Sequence, residues 1–189
     1  MAIVDADYKF TYVDIGAYGK DWDSSVFQHT TFFKMMVNRQ LQIPQPSPLH
    51  SAGIKNFPFV FVADEAFGLP EYVMRPYAGH NLPEKKRIFN YRLTLARRYV
   101  ECAFGILANK WRILHRALNV RKEFAKDIVK ACIILHNLVR IKDAQILKMY
   151  ITQQKLQTFN KTLCNRPKRI ATALRDDLAD YFMAEGALP

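Results

Sequence analysis

The sequence lacks the features of a membrane, secreted or zinc-binding protein. Its longest apolar run, Phe57 to Ala63 with Pro58 inside it, is far shorter than the roughly 20 residues that cross a bilayer. No basic stretch followed by an apolar one opens the chain, so no secretory signal is expected. The 3 cysteines form no Cys-x-x-Cys pair and have no pair of histidines nearby, which excludes the common zinc sites. We expect a soluble intracellular protein with no membrane partner, in which Cys102, Cys132 and Cys164 are reduced structural thiols.

Length and composition indicate a globular domain. The 189 residues, of which 50% are hydrophobic, 13% aromatic and 24% charged, can bury a core and contain no internal repeat or low-complexity tract. This composition excludes a disordered, collagen-like or coiled-coil chain. The formal net charge of +11 favours a polyanionic partner such as nucleic acid over an acidic small molecule, although charge alone does not name the partner.

Nearly all of the excess positive charge lies between Lys85 and Lys122. This segment has 11 basic residues and 1 acid, Glu101, whereas residues 1–80 have 6 basic and 8 acidic residues. Its apolar residues recur every three or four positions, which predicts one long helix with a single buried stripe. Glu101 lies at the flank of that stripe, where it is either the partner of Arg97 in an i, i+4 ion pair or a functional carboxylate. The stripe comprises Phe89, Leu93, Ala96, Val100, Ala103, Phe104, Leu107, Trp111 and Leu114.

The other segments contain both strand-like and helix-like patterns. Residues 57–63 (FPFVFVA) form an apolar run, which predicts a strand buried on both faces of a parallel or mixed sheet. His136 lies in a very apolar helical stretch and is predicted to be a hydrogen-bonded core histidine rather than a ligand. The remaining predictions are strands at 2–7 and 9–16, a helix at 26–41 that follows a Ser25–Gln28 capping box, a loop at 42–56, and helices at 124–141, 146–158 and 171–183.

Three carboxylates stand out by their context. Asp23 lies between a loop and a helix, Asp64 follows the predicted buried strand, and Glu101 lies on the basic helix. Asp64 is either a turn or helix-capping residue or part of a functional site, since ligands bind just beyond the ends of strands in open α/β sheets. If the three acids converge, they suit Mg²⁺ or Mn²⁺, and two such ions about 4 Å apart can activate water against a phosphodiester. Eight basic residues are expected to bind DNA phosphates around this acidic site: Lys85, Lys86, Arg87, Arg92, Arg97, Arg98, Lys110 and Arg112.

An ordered set of short blocks carries a family resemblance. The blocks are Phe10–Gly16 (FTYVDIG) with Asp23–Phe27 (DSSVF), Ala63–Leu69 (ADEAFGL) with Met74–Tyr77 (MRPY), Phe89–Leu93 (FNYRL), Val100–Gly105 (VECAFG), Trp111–Leu114 (WRIL), Leu135–Asn137 (LHN) and, near the C-terminus, Arg175–Leu178 (RDDL) to Tyr181–Phe182 (YF). In this order they resemble the PIF/Harbinger transposases over almost the whole chain. The resemblance implies a DDE superfamily nuclease domain at 1–142, with an α/β, ribonuclease-H-like mixed sheet flanked by helices, and a helical C-terminal extension at 143–189. It also implies that Asp23, Asp64 and Glu101 are catalytic and bind a divalent metal.

The family pattern also includes features that this sequence does not contain. Family members carry an earlier aspartate, typically in an Asp-Gly-Thr-His-like string on the first strand, and an N-terminal helical DNA-binding region. We therefore expect an N-terminally truncated domain that lacks its first strand and one metal ligand. One hypothesis is a nuclear or cytoplasmic nuclease that hydrolyses DNA by a two-metal mechanism only if a longer product or a partner chain supplies the missing strand, with a partner protein as the source of DNA recognition. The other is an inactive transposase-derived remnant that binds DNA or protein without cutting, or a truncated gene product with no settled role.

Overall fold

The computed structural model describes residues 1–17, 23–49, 56–67, 72–151, 169–184 and 186, and the side chains of these residues except 23, 144–151 and 169–170. The helix predicted at 146–158 therefore lies mostly outside the described residues. None of the described helices is long and apolar enough to span a membrane. In chain order the elements are β1 (Ala2–Val4), β2 (Phe10–Val13), α1 (Asp23–His29), α2 (Thr31–Val37), β3 (Ser47–Pro48), β4 (Asn56–Phe57), β5 (Phe61–Val62), β6 (Val73–Met74), α3 (Glu84–Lys110), a 3₁₀ turn (Arg112–His115), α4 (Lys122–Ile151) and α5 (Arg169–Met183).

Short strands pair two by two within the described ranges. β1 pairs with β2 and β3 with β4 in antiparallel fashion, whereas β5 and β6 are parallel. The fold is therefore mixed α/β, as predicted, with long helices and three small sheets. A ribonuclease-H-like sheet stays a prediction.

The chain divides into two compact units. The first consists of Met1–Lys20 and Arg98–Gln157, and the second of Asp21–Arg97 and Thr158–Pro189. Each unit has its own cluster of buried apolar residues. The predicted division into a nuclease domain at 1–142 and an extension at 143–189 stays a prediction.

The first unit packs the β1–β2 hairpin against α3 and α4 residues. Its core comprises Phe10, Ala103, Leu107, Cys132 and Ile133. His136 is 1% exposed, and its Nε2 lies 2.8 Å from the carbonyl oxygen of Tyr8. The prediction of a hydrogen-bonded core histidine is thus confirmed. Cys132 and the exposed Cys102 are free thiols, as predicted, whereas Cys164 lies outside the described residues.

The second unit packs α5 against the N-terminal half of α3. Its core comprises Met74, Tyr77, Phe89, Leu93 and Ala179. The Tyr77 hydroxyl donates to Oδ1 of Asp176 on α5 at 2.6 Å, and Lys85 on α3 forms an ion pair with Asp180 on α5. These polar contacts join α5 to α3 and to the segment that contains Tyr77. The amphipathic helix predicted at 171–183 is therefore confirmed and extends from 169.

The helix predicted at 26–41 is two shorter helices. Thr30 has an extended backbone (φ −68°, ψ 152°), and its hydroxyl accepts a hydrogen bond from the N–H of Phe33 at 3.0 Å. An extended N-cap residue interrupts one helix and starts the next, so α1 ends at His29 and α2 begins at Thr31. The buried side chains around this break are Phe27, Phe32 and Met36.

The strand predicted at 57–63 is wrong in length and in burial. Within it only Phe57 and Phe61–Val62 belong to strands, and the Phe59 and Val62 side chains are 46% and 39% exposed. An apolar run shows which side chains favour burial, but it does not show whether both faces of the backbone are covered. Within the loop predicted at 42–56, Ser47–Pro48 pairs with β4.

The long basic helix is confirmed, but it ends at Lys110 and is followed by the 3₁₀ turn. Phe89 and Leu93 lie in the core of the second unit, and Ala103 and Leu107 in that of the first. Because the helix serves two separate cores, the predicted continuous stripe is interrupted. Two members of the predicted stripe, Ala96 and Phe104, are exposed.

Candidate functional site

Asp64 lies just beyond β5, and this agrees with its predicted position after a strand. Its backbone carbonyl accepts a hydrogen bond from Phe67 N–H at 3.1 Å, and its carboxylate accepts one from Glu65 N–H. Both contacts are typical of an aspartate that forms a turn. The side chain is nevertheless 49% exposed. The carboxylate therefore remains accessible to another group as well as serving the turn.

The group that reaches this carboxylate is the guanidinium of Arg97. Arg97 Nη1 lies 3.2 Å from Asp64 Oδ2, and the Arg97 side chain is only 27% exposed. Arg97 is one turn of α3 beyond the buried Leu93, so packing of that turn fixes where its side chain begins. A partly exposed pair of this kind stabilises the fold by about 0.2–1 kcal/mol. The pairing of Arg97 with Glu101 stays a prediction.

The side chain of Arg75 binds the backbone of the same turn. Its Nη1 donates to the carbonyl oxygens of Glu65 and Phe67, at 3.1 Å in each case. Two hydrogen bonds from one charged group restrain the turn in which the Asp64 carboxylate is presented. Sequence reasoning did not single out Arg75, although it belongs to the Met74–Tyr77 block that carries the family resemblance.

The described side chains do not bring either of the other two acids, Asp23 and Glu101, together with Asp64. Asp23 begins α1, and its side chain lies outside the description. Glu101 is exposed on α3, in the first unit. Among the described residues, no group of three His, Cys, Asp or Glu side chains could hold a metal ion. These residues alone do not fit a divalent-metal centre, and the convergence of the three acids stays a prediction.

The eight basic residues that are predicted to contact DNA fall into two groups. Lys85 pairs with Asp180, Arg97 with Asp64, Arg92 lies 4.6 Å from the centre of the Phe182 ring, and Lys86 lies 4.9 Å from that of Tyr77. Those four make contacts within the second unit. The remaining four, Arg87, Arg98, Lys110 and Arg112, are exposed.

Tyr77 contacts one member of the first group, Lys86, together with a further arginine and an aspartate. Arg175 and Lys86 both lie over its ring, at 4.0 and 4.9 Å from the centroid. Burial, and then the hydrogen bond to Asp176, raise the pKa of the Tyr77 phenol above its usual value of 10.0. The phenol therefore remains a proton donor to Asp176 at neutral pH. Sequence periodicity did not reveal this structural use of the cations, because their partners lie on distant segments.

The chain belongs to the DDE superfamily endonuclease family, whose model matches residues 1–137. The matched range contains Asp23, Asp64 and Glu101, and it confirms the resemblance to a DDE nuclease. Domains of this family generally use divalent metals.

One curated relative extends over nearly the whole chain. "Protein ALP1-like" from Arabidopsis thaliana is 25% identical over 190 residues, which covers 99% of this chain and 46% of that protein. The chain thus spans about half the length of the curated relative that it matches. No solved structure matches it.

Proposed function

We propose that this chain is a DNA-binding, Harbinger-type member of the DDE endonuclease family that acts in the nucleus. Its proposed substrate is the phosphodiester backbone of DNA, and its proposed acids are Asp23, Asp64 and Glu101. A partner protein is proposed to supply DNA recognition, and the ribonuclease-H-like sheet belongs to the same proposal.

The observation that carries the proposal is the family match over 1–137, because it includes all three acids and the whole of the basic helix. The formal net charge of +11 supports DNA as the partner. Four exposed cations of the helix and the turn after it, Arg87, Arg98, Lys110 and Arg112, are available to phosphates. Phosphate contacts of this kind give affinity without sequence recognition, which is consistent with recognition by a partner.

DNA binding is tested by titrating the full chain into a fluorescently labelled duplex at several salt concentrations. We expect the logarithm of the association constant to fall linearly with the logarithm of salt, since binding releases counterions from the phosphates. Affinity that does not change with salt would contradict DNA binding through these cations and favour a role in binding protein.

Phosphodiester cleavage is tested separately on supercoiled plasmid in the presence of Mg²⁺ or Mn²⁺. Cleavage that Asp64→Asn abolishes would support the nuclease proposal, because Asn keeps the size of the side chain but removes its charge. Cleavage that survives in the variant would exclude Asp64 from the chemistry.

A second candidate function is DNA binding without cutting. The contact between Arg97 Nη1 and the Asp64 carboxylate at 3.2 Å favours it, because a cation of the chain itself already neutralises that acid. Salt-dependent binding of DNA together with intact plasmid, under all metal conditions, would support this candidate over the nuclease.

A further inference from the structure

One side of α4 is apolar and exposed along much of the helix. Most of its members are three, four or seven residues apart and so form one row on the helix surface, with Leu135 beside the row. We call this set the α4 apolar face. It comprises Phe124 (57% exposed), the small exposed Ala131, Ile134 (67%), Leu135 (40%), Leu138 (46%) and Ile141 (46%).

The α4 apolar face has the area that a contact between two copies of this chain needs. A fully accessible side chain of this size presents about 180 Å², so the five large residues leave about 450 Å² of apolar surface exposed. An exposed apolar patch of several hundred Å² on a soluble protein is often an interaction site. Two such faces in contact, with the stems of the charged side chains beside them, bury about 1,000 Å² in total, which is the size of a weak specific interface.

The charges at the two ends of the face favour an antiparallel contact. Asp127 lies in the row between Phe124 and Ala131, Lys142 follows Leu138 by one helical turn, and both are exposed. The two residues are equally far from the midpoint of the face, in opposite directions. A twofold axis at the midpoint therefore sets Asp127 of each copy opposite Lys142 of the other. A parallel contact would instead set each charge opposite its own kind.

The sizes of the apolar side chains fit the same arrangement. The midpoint lies between Ile134 and Leu135, so these two residues meet their counterparts in the centre of the contact. Ala131 and Leu138 are also equally far from the midpoint, so a small side chain faces a large one on each side of the axis. The ion pair that Asp127 makes with Lys130 of its own helix, at 3.3 Å, is exposed and leaves further lone pairs of the carboxylate accessible.

We infer that the α4 apolar face binds a second copy of this chain in an antiparallel, twofold-symmetric dimer. The dimer goes beyond the proposed function, since none of its contacts uses a residue proposed to act on DNA. We expect a dissociation constant on the order of 10 µM, because an interface of about 1,000 Å² is weak and transient.

Sedimentation equilibrium of the full chain without DNA, between about 1 and about 200 µM, measures the dissociation constant. We expect Ile134→Glu to weaken the dimer at least about thirtyfold, because it sets two carboxylates near the axis in an apolar contact. Ile113→Glu is the matched control on the 3₁₀ turn, where the same residue type is 48% exposed, and it should change the constant less than about twofold. Equal effects of the two variants would overturn the inference. A wild-type chain that stays monomeric would also overturn it and leave the face to a different protein.

A charge exchange tests the antiparallel arrangement. Asp127→Lys alone and Lys142→Asp alone should each weaken the dimer about tenfold, because like charges then face each other twice. The two substitutions together should restore the affinity to within about threefold of the wild type. A double variant that binds no more tightly than the single variants would overturn the inference. Thermal unfolding checks that every variant is folded, and if Ile134→Glu is not, the charge exchange is decisive because both of its positions are exposed.

Discussion

The side-chain amide of Asn137 on α4 binds both backbone polar groups of Phe10 on β2. Its Oδ1 accepts from the Phe10 N–H, and its Nδ2 donates to the Phe10 carbonyl oxygen, at 2.9 Å each. The β1–β2 pairing shifts register between Ile3 and Val4, and Val4 is the partner of Phe10. At this irregular end of the hairpin, a helix side chain thus makes the pair of bonds that a neighbouring strand would make.

We predict that Asn137→Ala destabilises the protein by about 2 kcal/mol, because it leaves two partly buried backbone groups without their partner. Urea unfolding monitored by circular dichroism measures the change. Asn109→Ala, at an exposed position of α3, is the control and should cost less than about 0.5 kcal/mol. Equal effects of the two substitutions would show that the amide contact does not anchor the hairpin.

Tyr77 gives rise to a prediction about alkaline pH. Burial and the hydrogen bond to Asp176 raise the pKa of its phenol in the folded state. The unfolded chain therefore releases the phenolic proton first, and stability is lost as the pH rises above about 10. This residue contributes a loss of at most about 1.4 kcal/mol per pH unit.

The measurement compares the wild-type protein with Tyr77→Phe by urea unfolding between pH 8 and pH 11.5. The stability advantage of the wild type should be constant at pH 8–9 and should decline above pH 10. Parallel pH profiles would contradict the role of the phenol. Lysines titrate in the same range in both proteins, so only the difference between them is interpreted.

Two arginines on α3 should behave differently when each is changed to Gln. Arg87 is exposed, whereas the Arg92 guanidinium lies 4.6 Å from the centre of the Phe182 ring. We predict that Arg87→Gln reduces the salt slope of DNA binding by about one and leaves stability within about 0.5 kcal/mol. Arg92→Gln should instead cost about 1 kcal/mol of stability and leave the slope unchanged, because its cation packs on an aromatic ring.

Duplex titrations at several salt concentrations, together with urea unfolding, provide both measurements for each variant. If the two substitutions changed the slope equally, the division of the basic residues into exposed and internally bound groups would be wrong. Each variant acts as the control for the other, because both remove one positive charge from the same helix.

Sequence periodicity predicted the basic helix and the helix at 171–183 because each has an apolar repeat that must face a core. The helix predicted at 124–141 lies within α4, which continues without a break to Ile151 and so includes the start of the separate helix predicted at 146–158. Periodicity missed the break at Thr30, although a threonine three residues before Phe33 is a recognisable N-cap, since the apolar repeat continues across it. It overstated the strand at 57–63 because apolar character does not report which faces are covered. Contacts such as Arg97 with Asp64 join residues far apart in the chain, and no local pattern contains them.

The last prediction concerns the ion pair between Arg97 and Asp64. Arg97 Nη1 lies 3.2 Å from Asp64 Oδ2. An arginine fork binds phosphate as well as carboxylate, so a DNA phosphate would compete with Asp64 for this guanidinium. We expect Asp64→Asn to strengthen binding of a DNA duplex more than Glu65→Gln, which removes the same charge at the adjacent exposed position. The difference should be up to about fivefold, equivalent to about 1 kcal/mol for a partly exposed ion pair. Duplex titrations at one salt concentration measure both affinities, and equal gains in the two variants would show that DNA does not act through Arg97.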